Sequence, residues 1–189
     1  MLHRLIVVTD LPGSPRLLAE QVALALRGGP FALVLRDKHL RWEERLALAG
    51  ELQPILDDAG GVLIVSDPAG PVAAAHLSRK FPIPSPRPAL LGRSVHAGEP
   101  IDPGLDYCTL SPVWPTDSKP GYGPAIGPAA LREACAASPV PVYALGGVHS
   151  PERARAAREA GAAGVAVMGA VMRAADPERA VRGLRSALA

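Results

Sequence analysis

The chain has 189 residues, of which 48% are hydrophobic and 20% are charged, so it can bury one full core, and we expect a single domain over residues 1–189. Its formal net charge is +2 and its 20 Lys and Arg residues are scattered along the sequence, which argues against nucleic-acid binding. No apolar stretch reaches the roughly 18 residues of a membrane span, and no secretory leader is recognisable, so we expect a cytoplasmic protein that does not engage a membrane.

The first third of the chain alternates strand-like and helix-like segments. Short apolar runs predict strands at Leu5–Val8, Phe31–Leu35 and Val62–Val65. Leu and Ala recur at helical spacing after the first two strands, which predicts helices over Arg16–Arg27 and Trp42–Ala59. This alternation is typical of a parallel sheet wrapped by helices.

The middle of the chain departs from the alternation. A very short fourth strand is predicted at Ala75–Leu77 and a fifth at Leu90–Ser94. Between them, residues 81–88 (FPIPSPRP) contain four prolines, which lack the backbone N–H that a helix requires. We therefore expect the helix after the fourth strand to be shortened or missing.

The last part of the chain resumes the alternation with three strands and three helices. In chain order these are Asp106–Leu110, Pro128–Ala137, Val140–Leu145, Pro151–Ala160, Gly164–Met168 and Asp176–Leu188. Eight strands in this arrangement predict a compact (β/α)8 TIM barrel, with an open doubly wound sheet as the competing fold. We expect closure beside the fourth strand to be loose, or to be completed by a neighbouring subunit in a homodimer.

Polar residues and glycines follow most of the predicted strands. In chain order they include Arg36, Lys38, Asp67, Ser94, His96, Gly146, Gly147 and Gly169. The carboxyl ends of barrel strands converge on one mouth, so these residues are predicted to line a single pocket.

A polar loop after the sixth predicted strand has a composition suited to binding a phosphate. Thr116, Ser118 and Lys119 place two hydroxyls and an ammonium close together, and nearby glycines allow backbone N–H groups to approach an anion. Taken alone, the same composition also fits a solvated surface loop.

Eight short motifs, in order and over nearly the whole chain, resemble the thiamine phosphate synthase and TenI family. They are VTD (8–10), LRDK (35–38), SD (66–67), HL (76–77), GRSVH (92–96), DYCTLSPVWPTDSKPG (106–121), PVYALGGV (141–148) and AGAAGVAVMGAV (160–171). The resemblance implies a barrel that binds a thiazole phosphate of thiamine biosynthesis. Synthases of this family join that thiazole to a pyrimidine diphosphate with Mg²⁺, whereas TenI-type members isomerise a thiazole carboxylate phosphate, for which no cofactor is required.

The resemblance also implies which residues meet the substrates. It assigns the thiazole phosphate to Gly146, Gly147, Met168 and Gly169, the pyrimidine diphosphate to Arg36 and Lys38, further substrate contacts to Ser94, Thr116, Ser118 and Lys119, and, in a synthase, Mg²⁺ to Asp67. Binding by glycine amides has a clear physical basis, because exposed N–H groups at strand-to-helix turns attract anions.

Several residues depart from the synthase pattern. Ser66 and Val34 replace the Asn and Gln of synthases. After the HL motif, synthases carry GQ and an acidic residue that completes the metal site, but this chain has Ser78, Arg79 and Lys80. These changes favour the TenI branch, while Pro112, where some TenI members have a histidine, is synthase-like.

We therefore expect first a TenI-like thiazole tautomerase, with a working thiamine phosphate synthase as the alternative and a non-catalytic phosphate-binding or regulatory barrel as the third hypothesis. In the tautomerase, His96 is the candidate acid–base group, because an imidazole titrates near neutral pH. Asp67 and Lys38 are the other candidate catalytic residues. His96 also fits a structural role in its loop, and His76 is interpreted as structural.

Overall fold

In the computed structural model, which describes residues 2–116 and 124–189, eight parallel strands form a closed barrel. The strands are β1 (Leu5–Val8), β2 (Ala32–Leu35), β3 (Val62–Ser66), β4 (Ala74–Leu77), β5 (Leu90–Val95), β6 (Tyr107–Leu110), β7 (Val142–Leu145) and β8 (Gly164–Val167). Each strand pairs with its neighbour in sequence, and β8 pairs with β1. The predicted (β/α)8 barrel is confirmed, and the open sheet is excluded because its two edges are joined.

The helices lie in two groups, at the beginning and at the end of the chain. They are α1 (Leu18–Leu26), α2 (Trp42–Asp58), α3 (Gly127–Ala137), α4 (Pro151–Glu159), α5 (Gly169–Met172) and α6 (Pro177–Leu188). None of these helices is long and apolar enough to cross a membrane.

The connections after β3, β4 and β5 are fully described and contain no helix. The missing helix after β4 is confirmed, and the connections after β3 and β5 have no helix either. Residues 67–73 are too few for a crossover helix, and residues 96–106 contain two prolines and two glycines.

Closure beside β4 is complete within this chain, so the expectation of a loose or shared closure is wrong. β4 pairs with β5 along its whole length, from Ala74 opposite Leu90 to Leu77 opposite Arg93. Its pairing with β3 is shorter, with Val65 opposite Ala75 and Ser66 opposite His76. These two ladders join β4 to both of its neighbours and close the barrel at this point.

The barrel interior contains a compact apolar cluster. Its buried members are Ile6, Ala32, Val34, Ile64, Ala74, Tyr107, Tyr143 and Ala166. The rings of Tyr107 and Tyr143 meet edge to face with centroids 5.6 Å apart. Alanines on the other strands leave the volume that the two rings fill, as dense interior packing requires.

Gly92 on β5 is also part of this packing. It lies opposite Tyr107 on β6, and a Cβ at this position would overlap the tyrosine ring. A glycine is therefore required here by volume rather than by backbone conformation.

We expect Gly92→Ala to lower the free energy of unfolding by about 1–3 kcal/mol, because the added methyl group overpacks the barrel interior. Gly50→Ala on α2 is the control, since no atom lies within 4 Å of its added Cβ. That change should be neutral or stabilising by up to about 1 kcal/mol. Urea unfolding of both variants measures the difference, and equal stabilities would contradict the tight fit around Tyr107.

Candidate active site at the carboxyl end of the barrel

A cavity of about 730 Å³ opens at the carboxyl ends of the strands. The predicted site residues that line it are Arg36, Lys38, Ser94, His96, Thr116, Gly146, Gly147, Met168 and Gly169. Asp67 is not among the lining residues, and Ser118 and Lys119 lie outside the described residues. The barrel therefore brings nine predicted residues from distant parts of the sequence to one cavity.

One end of the cavity is built from glycine backbone. Gly146 and Gly147 adopt φ angles of +94° and +68°, which favour glycine. A Cβ on Gly147 would lie 2.5 Å from the Pro115 carbonyl oxygen. Within the described chain, the amides of Gly147 and Gly169 donate no hydrogen bond, so both can meet an anionic ligand.

Two arginines join this glycine end. The Arg153 guanidinium donates to the Gly147 carbonyl oxygen over 2.5 Å and lies 5.8 Å from the centre of the Trp114 ring. Arg173 forms an ion pair with Asp10, with 2.6 Å between Nε and Oδ2. Both arginines line the cavity and make its glycine end electropositive.

Asp67 links the ends of β3 and β4 and the loop after β2. Its carboxylate accepts hydrogen bonds from the Lys38 ammonium and, over 2.6 Å, from the Ser78 amide. Its own amide donates to the His76 carbonyl oxygen over 3.1 Å, and its φ angle is +42°, a conformation that Asp tolerates. Burial opposes ionisation of Asp67, but the bonds from Lys38 and Ser78 outweigh burial and hold its pKa below the usual value.

The surroundings of Asp67 do not fit the magnesium ion that the family resemblance implies. Both carboxylate oxygens are engaged by donors, and the Arg45 guanidinium donates to the Ser66 carbonyl oxygen over 2.6 Å, directly beside them. Mg²⁺ requires oxygen ligands with free lone pairs, usually including carboxylates. Among the described residues, no group of three or more His, Cys, Asp or Glu side chains could hold a metal ion.

His96 lies in the cavity wall next to Glu99. Glu99 accepts a hydrogen bond from the His96 amide over 3.0 Å, its other oxygen pairs with Arg79, and His96 Nδ1 is 3.5 Å from the carboxylate. Burial opposes ionisation of Glu99, yet the His96 amide and the Arg79 charge lower its pKa below the usual value. Glu99 therefore remains a carboxylate that orients both neighbours.

A buried polar chain runs from Tyr107 through His76 to Ser94. His76 Nδ1 is 3.0 Å from the Tyr107 hydroxyl oxygen, and Nε2 is 2.9 Å from Ser94 Oγ. Burial lowers the pKa of His76 to about 4; nearby Asp67 opposes this effect, while Lys38, Arg93 and Arg36 add to it. The imidazole is therefore neutral near pH 7, with one donor and one acceptor nitrogen.

The tautomer of His76 follows from the needs of Tyr107. The Tyr107 hydroxyl has no other partner among the described residues, and burial raises its pKa, so it donates to Nδ1. Nε2 then carries the proton and donates to Ser94 Oγ, which also accepts from the Thr109 hydroxyl over 3.4 Å. The Ser94 hydroxyl proton is left to donate to a ligand.

Sequence reasoning missed several cavity residues or misjudged them. Arg153 was not among the predicted site residues, although its place in the first turn of the helix after the Gly-Gly pair was a usable signal. His76 was interpreted as structural, yet it lines the cavity and holds Ser94. Glu99 and Arg173 lie in no motif, so the sequence offered no comparable signal for them.

A parallel barrel with glycine amides and cationic side chains at its carboxyl end is typical of enzymes that bind phosphorylated small molecules. Within that class, a family model described as thiamine monophosphate synthase matches residues 85–171. The chain is 36% identical to the thiamine-phosphate synthase of Salinibacter ruber over 202 residues, covering 98% of this chain and 88% of the relative. It is also 36% identical to the thiamine-phosphate synthase of Thermus thermophilus, with 100% and 98% covered.

A solved structure extends these comparisons to the fold. The thiamine phosphate pyrophosphorylase from Pyrococcus furiosus superimposes with a TM-score of 0.82 at 27% identity, covering 98% of this chain and 95% of that one. The chain therefore belongs to the thiamine monophosphate synthase family, and it is an enzyme of thiamine biosynthesis. The resemblance seen in the sequence motifs is confirmed.

The neutral state of His76 predicts a pH dependence of stability. The unfolded chain protonates this histidine near pH 6.5, whereas the folded chain does so near pH 4, so the unfolded state binds more protons between these values. We expect the free energy of unfolding to fall by on the order of 3 kcal/mol as the pH falls from 6.5 to 4.

Urea unfolding of the wild type and of His76→Gln at several pH values isolates this contribution as a difference in slope. His39→Gln is the control, because His39 is exposed and should leave the slope of the wild type unchanged. The same slope in the wild type and in His76→Gln would contradict the assignment.

Proposed function

We propose that this protein is a thiamine-phosphate synthase, which joins a thiazole phosphate to a pyrimidine bearing a methylene diphosphate and releases diphosphate. The 36% identical relatives that span nearly the whole chain carry this name, and they support the synthase better than the tautomerase that the sequence placed first. The observation that carries the proposal is a single cavity with two separate groups of anion-binding residues.

The first group is the glycine end, which we assign to the thiazole phosphate. The amides of Gly147 and Gly169 are available to the phosphate, with Gly146 and Met168 completing the backbone around it. Arg153 and Arg173 add positive charge at the same end, which strengthens anion binding.

The second group comprises Arg36, Lys38 and Arg79, which line the cavity after β2 and β4. Three cations suit a diphosphate, which carries several negative charges, better than they suit the single carboxylate of a tautomerase substrate. Thr116 lines the same cavity, and contacts from Ser118 and Lys119 remain a prediction.

The reaction itself demands little proton transfer from the protein. The thiazole nitrogen lone pair forms a bond to the methylene carbon, the carbon–oxygen bond to the diphosphate breaks, and its electron pair leaves with the diphosphate. The chain therefore has to align the two substrates and stabilise the negative charge on the departing group. Ser94, held by His76, offers a hydroxyl donor to a ring atom of the substrate.

Isomerisation of a thiazole carboxylate phosphate is the second candidate function. The observation in its favour is His96, which lines the cavity with Glu99 at its side, as an acid–base group requires. Asp67 suits a general base poorly, because both of its oxygens are engaged and it does not line the cavity. Its contacts suit a residue that positions Lys38.

Two assays on one preparation test the proposal. Thiamine phosphate formation is measured with both substrates, in EDTA and in Mg²⁺, and isomerisation of the thiazole carboxylate phosphate is measured separately. We expect thiamine phosphate to form in at least one of the two conditions. Isomerisation that is lost in His96→Ala, without condensation in either condition, would instead establish the second candidate.

The glycine end gives a separate binding prediction. We expect Gly147→Ala to weaken thiazole phosphate binding at least tenfold, about 1.4 kcal/mol, because the methyl group displaces the backbone around Pro115. Gly60→Ala is the control: its φ angle of +70° imposes the same backbone strain, but no atom lies near its Cβ and it precedes β3 at the opposite end of the barrel. Calorimetry with thiazole phosphate compares the two variants, and equal affinities would contradict binding of the phosphate at Gly147.

A further inference from the structure

We propose that this protein holds the diphosphate of its pyrimidine substrate directly on the cationic side chains of Lys38, Arg79 and Arg36, in place of a divalent metal ion. This inference rests on the proposed synthase function and names the means by which the leaving group is bound. It starts from the disagreement between the residues around Asp67 and the requirements of Mg²⁺.

The first step of the argument is the state of Asp67. Its side chain is only 11% exposed, and its two oxygens accept from the Lys38 ammonium and the Ser78 amide. A divalent cation at this carboxylate would displace an ammonium and lie beside its positive charge. Asp67 is therefore already neutralised by a side chain of this chain.

The second step is the balance of charge around it. Besides the three cavity-lining cations, Arg45 donates to the Ser66 carbonyl oxygen and Arg93 donates to the Arg79 carbonyl oxygen over 2.8 Å. Among the described residues, the acidic groups that pair with these cations are Asp67 and Glu99. Asp37 is buried, accepts from the Leu11 amide and does not line the cavity. Positive charge dominates, so this region attracts an anion and repels a metal ion.

The third step is the accessibility of the cations. The side chains of Lys38 and Arg79 are 41% and 57% exposed, although each is paired with a carboxylate. An ammonium has three donors and a guanidinium has five, so each cation can donate to a ligand while it keeps its carboxylate partner. Asp67 and Glu99 then serve to hold Lys38 and Arg79 at the cavity before the diphosphate arrives.

These cations also suit the chemistry of the departing group. When the carbon–oxygen bond breaks, its electron pair moves onto the diphosphate, and negative charge increases on the oxygen that was bonded to the methylene carbon. Arg79 and Arg36 can each donate hydrogen bonds to two phosphate oxygens, and Lys38 supplies a compact point charge. The balance requires no further reactant, because the thiazole nitrogen supplies the electron pair of the new bond.

The residues that follow β4 agree with this assignment. Ser78, Arg79 and Lys80 include no carboxylate and two cations. This stretch therefore supplies no acidic ligand for a metal ion, whereas Arg79 places a cation in the cavity wall. Both features favour an anion over a metal ion.

Two variants separate the alternatives. Arg79→Gln removes one cation and keeps a polar side chain at this position. Asp67→Asn is isosteric, still accepts from the Ser78 amide and tolerates the positive φ angle, but it loses its charge. Loss of this charge removes a metal ligand, whereas for a carboxylate that pairs with Lys38 it leaves the full charge of the ammonium to the diphosphate.

The experiment is calorimetry with inorganic diphosphate as the probe, in EDTA and in Mg²⁺ at matched ionic strength. We expect diphosphate to bind in EDTA, with no tightening when Mg²⁺ is present. Arg79→Gln should weaken binding at least tenfold, and Asp67→Asn should bind as tightly as the wild type or more tightly. Arg87→Gln is the matched control, because Arg87 carries the same charge, pairs with Asp106 and does not line the cavity.

Several outcomes would overturn the inference. Binding that requires Mg²⁺ would contradict it. Loss of that Mg²⁺-dependent binding in Asp67→Asn, while the variant still unfolds cooperatively, would identify Asp67 as a metal ligand. Lys38→Gln provides a second test of the cationic group if Arg79→Gln is not folded, and it should also weaken binding in EDTA.

The proposed function is judged separately by product formation. Thiamine phosphate formed only with Mg²⁺ would contradict this inference but would support the synthase proposal. If diphosphate binds in EDTA but no product forms in either condition, the result would support the cationic site and contradict the synthase proposal.

Discussion

The packing of Tyr107 inside the barrel is the constraint on which the candidate site depends. Its ring fits because Gly92 and the alanines of other strands leave space for it. Its hydroxyl is thereby buried and has to donate a hydrogen bond, since an unpaired buried hydroxyl is costly. That need fixes the tautomer of His76, and His76 in turn sets the direction of the Ser94 hydroxyl. Packing in the interior thus determines which hydrogen bonds the cavity wall can offer.

The two ends of the cavity bind anions by different means. At the glycine end, backbone amides have a fixed position, and the φ angles of Gly146 and Gly147 define where a phosphate can lie. At the other end, Lys38 and Arg79 are long side chains held by Asp67 and Glu99, so their charges can move. A rigid cradle suits the phosphate that the thiazole retains, and adjustable cations suit a group that has to leave.

Much of the fold and of the cavity could be predicted from the sequence. Buried parallel strands read as apolar runs, and a residue that follows such a run lies at the mouth of the barrel, so Arg36, Lys38 and Gly147 were found correctly in the cavity. The link from Tyr107 to His76 was not predictable, because it joins residues 31 positions apart through a contact that only the closed barrel creates. The ion pair between Asp67 and Lys38 was not predictable either, because the sequence does not show whether a carboxylate binds a metal ion or an ammonium group.

The absence of helices after β3, β4 and β5 divides the barrel into a braced side and an unbraced side. The glycine end follows β7 and β8, where α4 and α6 pack against each other behind the strands. Arg79 and Glu99 lie instead in connections that have no such support, so local opening requires fewer packed contacts to break there. Amide hydrogens in these loops should therefore exchange with solvent by local opening, while the rest of the barrel stays folded. The two ends of one cavity thus belong to parts of the fold that differ in local stability.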